Sequence, residues 1–538
     1  MASDSKLQSK IPTGLKVRAL LCAMGANSLM GMFYAYTNMY IYISHYLRIY
    51  DKSLDADGKD VLLVMPVWII CLSIASLASI KIADRIGFWA LNYIACFLFC
   101  INHLAVIFIK SYYLFVLVYG VGNGLACGLG YLPSLYIAWT YFPDKKPMAT
   151  GIILFSTGIS FFFLSPIITH LVNPDNLKDD HDDVQKRVPF MFACLTGAFS
   201  LITLLSCSLQ PSPWHQYEND GQNSGGQPSD HKTQKLKDLV ERAKVLGIEL
   251  DSQSLGIHKL GEELAVHGGQ GLFIVGQLKS QSMNNITLNM EHNPNAGVEE
   301  GLDKEAKLIS TADLDREIKR IARLIREKSC PNLRAGLTST HFFFIVFMVF
   351  CSSIYYYLIL ASWKHYFKSM ISLRDRQLSY MLSIGSIGNA LGKVFSGILL
   401  LKLSFKTLYI GANCLIIIYA CSFNYVMANA GNIFTASTYL CLAFFGLGMN
   451  MTMFPTICMK AFGGAVGSRI YPVVYFCFAM SNLFAYLFYK HLDNIQALFT
   501  VMAVMSAAGI VACALFNQNP VWHRSAEGKI TVEVELND

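Results

Sequence analysis

A chain of 538 residues that is 54% hydrophobic and only 15% charged, with a mean hydropathy of +0.41, is far more apolar than a soluble domain, where about 25% of residues are charged. Its net charge of +7 is no argument for nucleic acid, because the basic residues gather in loops and a central linker. Most of the 15 cysteines lie in apolar runs, where they behave as small apolar residues, so no framework of extracellular disulfides is suggested.

Apolar runs of about 20 residues, each long enough to cross roughly 30 Å of hydrocarbon, recur along the chain. They predict spans near 19–43, 61–82, 88–109, 112–138, 149–172 and 188–208, and again near 340–363, 377–401, 407–429, 434–459, 463–489 and 494–517. The arrangement is an all-α integral membrane protein with twelve transmembrane helices in two six-helix halves, 19–208 and 339–517. Residues 1–18 and 518–538 form cytosolic ends, and 209–338 a cytosolic, partly disordered divider. Lys6, Lys10, Lys16 and Arg18 precede a first run too long for a signal-peptide core, which predicts a retained span with a cytosolic amino terminus.

The second and third spans are joined by Ile82-Ala-Asp84-Arg85-Ile-Gly87. Residues 120–151, GVGNGLACGLGYLPSLYIAWTYFPDKKPMATG, follow. Gly120, Gly124 and Gly128 share one helix face, a spacing that lets two backbones come together in a bilayer. Lys145 and Lys146, in a short loop at the membrane edge, mark the cytosolic side.

In the divider, 220–230 has the composition of a flexible linker. Residues 313–328 place Leu314, Ile318, Ile321 and Ile325 on one stripe, with Arg316, Lys319, Arg320, Arg323 and Arg326 on the other faces. That pattern fits a helix on the inner membrane surface with its cations among lipid headgroups, or a solvated helix packed on the protein. Short loops give no clean positive-inside bias, since the loops expected outside carry Lys364, Lys368, Arg374 and Arg376 among others. The amino-terminal cations and the basic cluster before span seven set the orientation.

Span eight carries the chemistry. Lys393 reads as the one basic residue deep inside a span, about 12 Å along the helix axis from its cytosolic end. A lysine near a helix centre costs about 2.5–3.5 kcal/mol on insertion scales, so such a group faces a cavity or a partner. Ser386, Asn389, Lys393 and Ser396, spaced by three and four, form one polar stripe. A cation in a cavity of low dielectric favours an anion, and a carboxylate offers two oxygens to the ammonium group. The alternative is a lysine bonded to neighbouring carbonyls for packing.

Asn38, Asn123, Tyr131, Asn450, Thr452, Tyr475 and Asn482 are further cavity-lining candidates, each equally suited to interhelical bonding. His103 and His170 suit interhelical bonding better than proton shuttling, and Trp139 an interface anchor. No catalytic constellation, metal cluster or cofactor motif is legible.

The block at 120–151 and its helical context resemble the major facilitator superfamily, within it the branch of monocarboxylate transporters and oxalate/formate antiporters. Tyr119-Gly-Val-Gly122, Tyr131-Leu-Pro133, Trp139 with Tyr141-Phe-Pro-Asp-Lys145, and Ala149-Thr-Gly151 carry the likeness; Gly446-Leu-Gly448, Phe454-Pro455 and Phe462-Gly463 carry it in the second half. The resemblance implies that Asp84, Arg85 and Gly87 gate by latching the halves, although Ile80, Phe88 and Trp89 depart from the family's loop pattern. Asn389 and Lys393 fall where the family has an acid and an arginine, and Asn38 where it has a lysine. By that resemblance the chain keeps one cation and loses the titratable partner and the second charge.

The expected function is a secondary or facilitative carrier of a small organic anion, a monocarboxylate, by alternating access. Lys393, Asn389, Ser386, Asn38, Tyr131, Asn450 and Asn482 are its substrate-binding candidates. Its expected partners are the solute, a coupling proton or ion, and membrane lipid. A carrier of a neutral or zwitterionic solute, or a non-transporting sensor or scaffold acting through the divider, remain open.

Overall fold

The structure, a computed structural model, describes residues 12–54, 58–142, 145–177, 181–211, 330–371, 373–491, 494–524 and 530–533. The linker at 220–230 and the basic helix expected at 313–328 lie outside them.

Twelve helices are long and apolar enough to cross a membrane: Thr13–Arg48, Asp60–Ile86, Phe88–Val106, Tyr112–Tyr141, Lys146–Val172 and Asp182–Leu209, then Thr340–Lys368, Asp375–Leu399, Phe405–Ala430, Ile433–Gly463, Val466–His491 and Gln496–Leu515. They are spans one to twelve, and all belong to one compact unit, residues 1–220 with 332–518. The other unit, 221–331 with 519–538, contributes an antiparallel hairpin, β1 (Val521–Arg524) and β2 (Ile530–Glu533). The sequence reading assigned no structure there.

Consecutive crossings alternate, so one end of the bundle holds the connections 49–59, 107–111, 173–181, 369–374, 431–432 and 492–494. The opposite end holds Gly87, 142–145, 400–404 and Gly463. We call these the first and second ends. Gly87 (φ 90°) and Gly463 (φ 77°) occupy backbone regions that side chains rarely adopt, and each turns the chain between adjacent spans within one residue.

Within the first half, span two packs along span four. A Cβ at Gly124 or Gly128 would collide with the Trp68 or Leu72 carbonyl, so the glycine face of the 120–151 block is where two backbones meet. Span four opens with one α-helical turn, Tyr112–Phe115, followed by a π-helical stretch at Val116–Gly122. At the second end, Ala19, Ala83, Phe88, Leu91, Ile137 and Tyr141 form a small buried cluster. Phe88 stacks on Tyr136 at 5.3 Å, which explains why an apolar ring stands where the family pattern has a cation.

The halves meet along two seams, span five against span eight and span two against span eleven. On the first seam a Cβ at Gly158 would lie 2.6 Å from the Ala390 Cβ, and one at Gly397 2.6 Å from the Pro147 carbonyl oxygen. On the second, the Ser73 hydroxyl donates to the Tyr475 carbonyl at 3.2 Å.

Candidate functional site

Lys393 sits on the span five–span eight seam and is 1% exposed. Its Nζ donates to the Thr157 hydroxyl of span five and lies 5.0 Å from the centre of the Tyr34 ring of span one. Among the described residues no carboxylate pairs with it. Its backbone carbonyl accepts from Thr452 of span ten at 3.2 Å. The ammonium group therefore lies at the junction of both halves, with a neutral acceptor and an aromatic face. A ring face attracts a cation without neutralising it.

From Tyr34 a chain of aromatic rings crosses between the halves. Tyr34 lies 6.3 Å from Tyr356, Tyr356 lies 5.5 Å from Phe478, and Phe478 stacks on Tyr475 at 5.4 Å. Tyr475 is 5.9 Å from Tyr131, whose hydroxyl is 3.0 Å from that of Tyr471. Beside this chain is a pocket lined by spans seven, ten and eleven, including Ser352, Tyr355, Tyr356, Asn450, Tyr471 and Tyr475. Asn450 donates to the Tyr355 hydroxyl and, at 3.2 Å, to the Gly446 carbonyl. Its Oδ1 is buried without a hydrogen-bond partner, an acceptor open to a ligand.

The other predicted residues scatter. Asn389 is turned to span ten, its Nδ2 3.5 Å from the Phe444 carbonyl. Ser386 donates back to Ser383 at 2.7 Å, and Asn482 to Phe478 at 2.7 Å. Asn123 is buried in span four. His103 is fully buried with Nδ1 3.1 Å from the Phe99 carbonyl, walled by Phe99, Tyr119 and Phe199; His170 is exposed. Trp139 donates to Thr150 at 2.8 Å, tying span four to span five, where an interface anchor was expected. Asp84 and Arg85 are exposed at the second end, and neither forms an ion pair among the described residues.

One expectation is corrected. Lys393 is not the single deep cation: Lys364, placed by its sequence in a loop, is 0% exposed. The helix of span seven continues to Ile371, beyond the apolar run that ends near residue 363, and carries Lys364 into the protein. Its Nζ donates to the carbonyl and Oδ1 of Asn38 at 3.2 and 3.4 Å and lies 4.4 Å from the Tyr42 ring centre. Asn38 also donates to Thr169 at 3.0 Å and to the Ser165 carbonyl at 3.2 Å. Asp375, at the head of span eight, is 4.0 Å from Lys364. So Asn38, which seemed to replace a cation, holds one from the other half. The residues missed are Tyr34 and Thr157, which lie against Lys393, and Tyr355, Tyr356 and Lys364, which all lie on span seven. Its one visible signal was the hydroxyl-rich run Ser352-Ser-Ile-Tyr-Tyr-Tyr357.

Contacts between the halves are polar at the first end. Tyr42 donates to Asp375 at 2.9 Å, Arg376 donates to the Pro174 carbonyl at 2.5 Å, and Lys490 pairs with Asp60 at 2.6 Å. At the second end no ion pair joins the halves among the described residues.

Comparison with known proteins fits this arrangement. A model of the Major Facilitator Superfamily matches residues 28–486. A solved structure of XylE, a proton:xylose symporter, bound to 6-bromo-6-deoxy-D-glucose is similar with a TM-score of 0.56 at 11% identity, covering 93% of this chain and 94% of that one. A partially occluded inward-open XylE from E. coli gives 0.53 at 12%, covering 96% and 98%. The apicoplast pyruvate carrier 1 of Toxoplasma gondii is 27% identical over 129 residues, 20% of this chain and 24% of that protein, so the chain matches about a quarter of that relative's length. Both XylE likenesses speak for the fold alone. Twelve spans, two facing halves and a family match over most of the length make this chain a multi-pass membrane protein that belongs to the Major Facilitator Superfamily, a family of transporters.

Proposed function

We propose that this chain carries a small monocarboxylate across the membrane by alternating access. The halves would rock about Lys393, with the second end, both termini and the divider in the cytosol. The observation that carries the reading is the charge inventory of the described interior. Lys364 and Lys393 are buried and Asp375 is the one buried carboxylate, and it lies beside Lys364. Lys393 is therefore left without a countercharge among the described residues, complementary to a monoanion. Such a charge in a low-dielectric site attracts a carboxylate more strongly than water would allow. The partial likeness to a protein named as a pyruvate carrier points the same way.

Tyr34, Thr157, Tyr131 and Tyr475 would shape the rest of the site, with Asn450 reaching it through the cavity. Asn38 would act through Lys364, and Asn389 and Ser386 by positioning span eight. Asp84, Arg85 and Gly87 would engage when the second end closes. A proton or ion would travel with the solute, and lipid would surround the spans. The test is uptake into proteoliposomes of a short monocarboxylate against its neutral amide. Lys393→Ala abolishes carboxylate uptake and Lys393→Arg retains part of it; unchanged uptake in the alanine variant sinks the binding role.

A neutral solute is the second reading, favoured by one observation: the pocket between spans seven, ten and eleven is lined by hydroxyl, amide and apolar groups without a charge. Competition of uptake by neutral hydroxylated solutes, insensitive to Lys393→Ala, would select it.

A further inference from the structure

Asp375 is the one buried acidic residue among those described, 5% exposed, in the first turn of span eight. Donors from both halves converge on its carboxylate. Oδ2 accepts from the Tyr42 hydroxyl at 2.9 Å and from Asn173 Nδ2 at 3.3 Å. Oδ1 lies 3.8 Å from Lys368 Nζ and 4.0 Å from Lys364 Nζ. A cradle of two ammonium groups, a hydroxyl and an amide is what a free carboxylate would need. The Lys364 contact is loose: its nearer acceptors are the carbonyl and Oδ1 of Asn38, so its charge is only partly answered by Asp375.

Position adds a second observation. Tyr34, Asn38 and Tyr42 recur every four residues, so they form one stripe of span one. Lys393 lies over the ring at one end of that stripe and Lys364 over the ring at the other, with Asn38 between. Tyr34 and Tyr42 are about 12 Å apart along the axis. Two buried cations therefore mark a line from the first end to the centre, along the boundary between the halves.

We infer that Lys364, with Asn38 and Tyr42, forms a second carboxylate-binding station at the first end, which Asp375 fills as a tethered stand-in and a substrate carboxylate takes over as that end opens. The ligand class rests on the monocarboxylate reading. Because Asp375 bridges to Tyr42 and Asn173 of the other half, its displacement would also release a contact that holds the first end shut.

The test is amine acylation of the purified full-length protein by a membrane-impermeant ester, read lysine by lysine by mass spectrometry, with acetate and acetamide as probes. In the parent, Lys368, 45% exposed in its side chain, is modified and Lys364 is not. Asp375→Asn raises modification of Lys364 by about fivefold or more, a typical size for coupled equilibria; acetate reverses the rise and acetamide does not. Unchanged modification in Asp375→Asn, or a rise that acetate fails to reverse, overturns the station. Adding Lys393→Ala separates the two readings. Acetate protection of Lys364 that survives it upholds the station whatever happens at the centre. Uptake lost with Lys393→Ala while acetate never protects Lys364 upholds the centre and removes the station. Should Asp375→Asn fail to fold, Lys364→Gln decides: a KM for carboxylate entering from the first end raised about fivefold supports the station, and an unchanged KM overturns it.

Discussion

Thr157→Val removes the acceptor of the Lys393 ammonium and keeps the shape of the side chain. Thr157 lies at the centre of span five, 2% exposed, and its hydroxyl proton is already committed to the Leu154 carbonyl at 2.7 Å, so the oxygen is free to accept from Lys393. Two magnitudes compete. An ordinary interhelical hydrogen bond in a membrane protein contributes about 0.6 kcal/mol, whereas one to a charged group contributes about 1.5–3 kcal/mol. With no carboxylate beside Lys393 among the described residues, the larger value applies, and the empty carrier loses about 1.5–3 kcal/mol. A bound carboxylate supplies the missing acceptor, so the occupied carrier loses less. Apparent affinity for the carboxylate then rises, by up to about 10- to 150-fold if the whole difference is recovered. Thermal melting of the purified protein, titrated with a short monocarboxylate, reads both effects: a lower midpoint without ligand and a steeper rise with it. Thr157→Ser, which keeps the oxygen, separates loss of the acceptor from loss of packing. A loss near 0.6 kcal/mol with no gain in ligand response would refute the reasoning, since Lys393 would then behave as a neutral packing group.

Three further outcomes follow from the packing. Gly158→Leu drives a side chain into Ala390, whose Cβ would be only 2.6 Å from the new Cβ; overpacking costs about 1–3 kcal/mol. The melting midpoint should fall and uptake with it, and an unaltered midpoint would deny the close approach. Gly87→Val forces a branched residue to φ 90°, a strain of about 1–3 kcal/mol, measurable as a lower midpoint. Asp60→Lys and Lys490→Asp each remove an ion pair between the halves at the first end. Such partly exposed pairs contribute about 0.2–1 kcal/mol, and the double exchange should restore uptake rates that each single change alters.

The spans were legible because hydrophobic length is a property of the chain alone, and the glycine face of 120–151 because close backbone approach demands a missing side chain. Lys393 was legible as a charge where hydropathy forbids one. Lys364 was not, since a polar helix tail and a loop look alike to hydropathy. Only the packing of span seven against Asn38 and Tyr42 distinguishes them. For the same reason Asn38 read as a lost cation, when its neighbour in space, 326 residues away in sequence, supplies the charge. Tyr355 and Tyr356 were hidden in an apolar run whose cavity-facing side depends on spans ten and eleven. Spacing placed Ser386, Asn389, Lys393 and Ser396 on one face of span eight, but helical spacing alone does not say that Asn389 turns to span ten while Lys393 turns to span five.

The central claim is that the charge of Lys393 selects a carboxylate. Its most direct measurement is the ratio of apparent affinities for a short monocarboxylate and its isosteric amide, taken from thermal shifts of the parent and of Lys393→Met. The account predicts a strong preference for the carboxylate in the parent and its collapse to near equality in Lys393→Met. A preference that survives the loss of the ammonium group, or a parent that binds both alike, would contradict it.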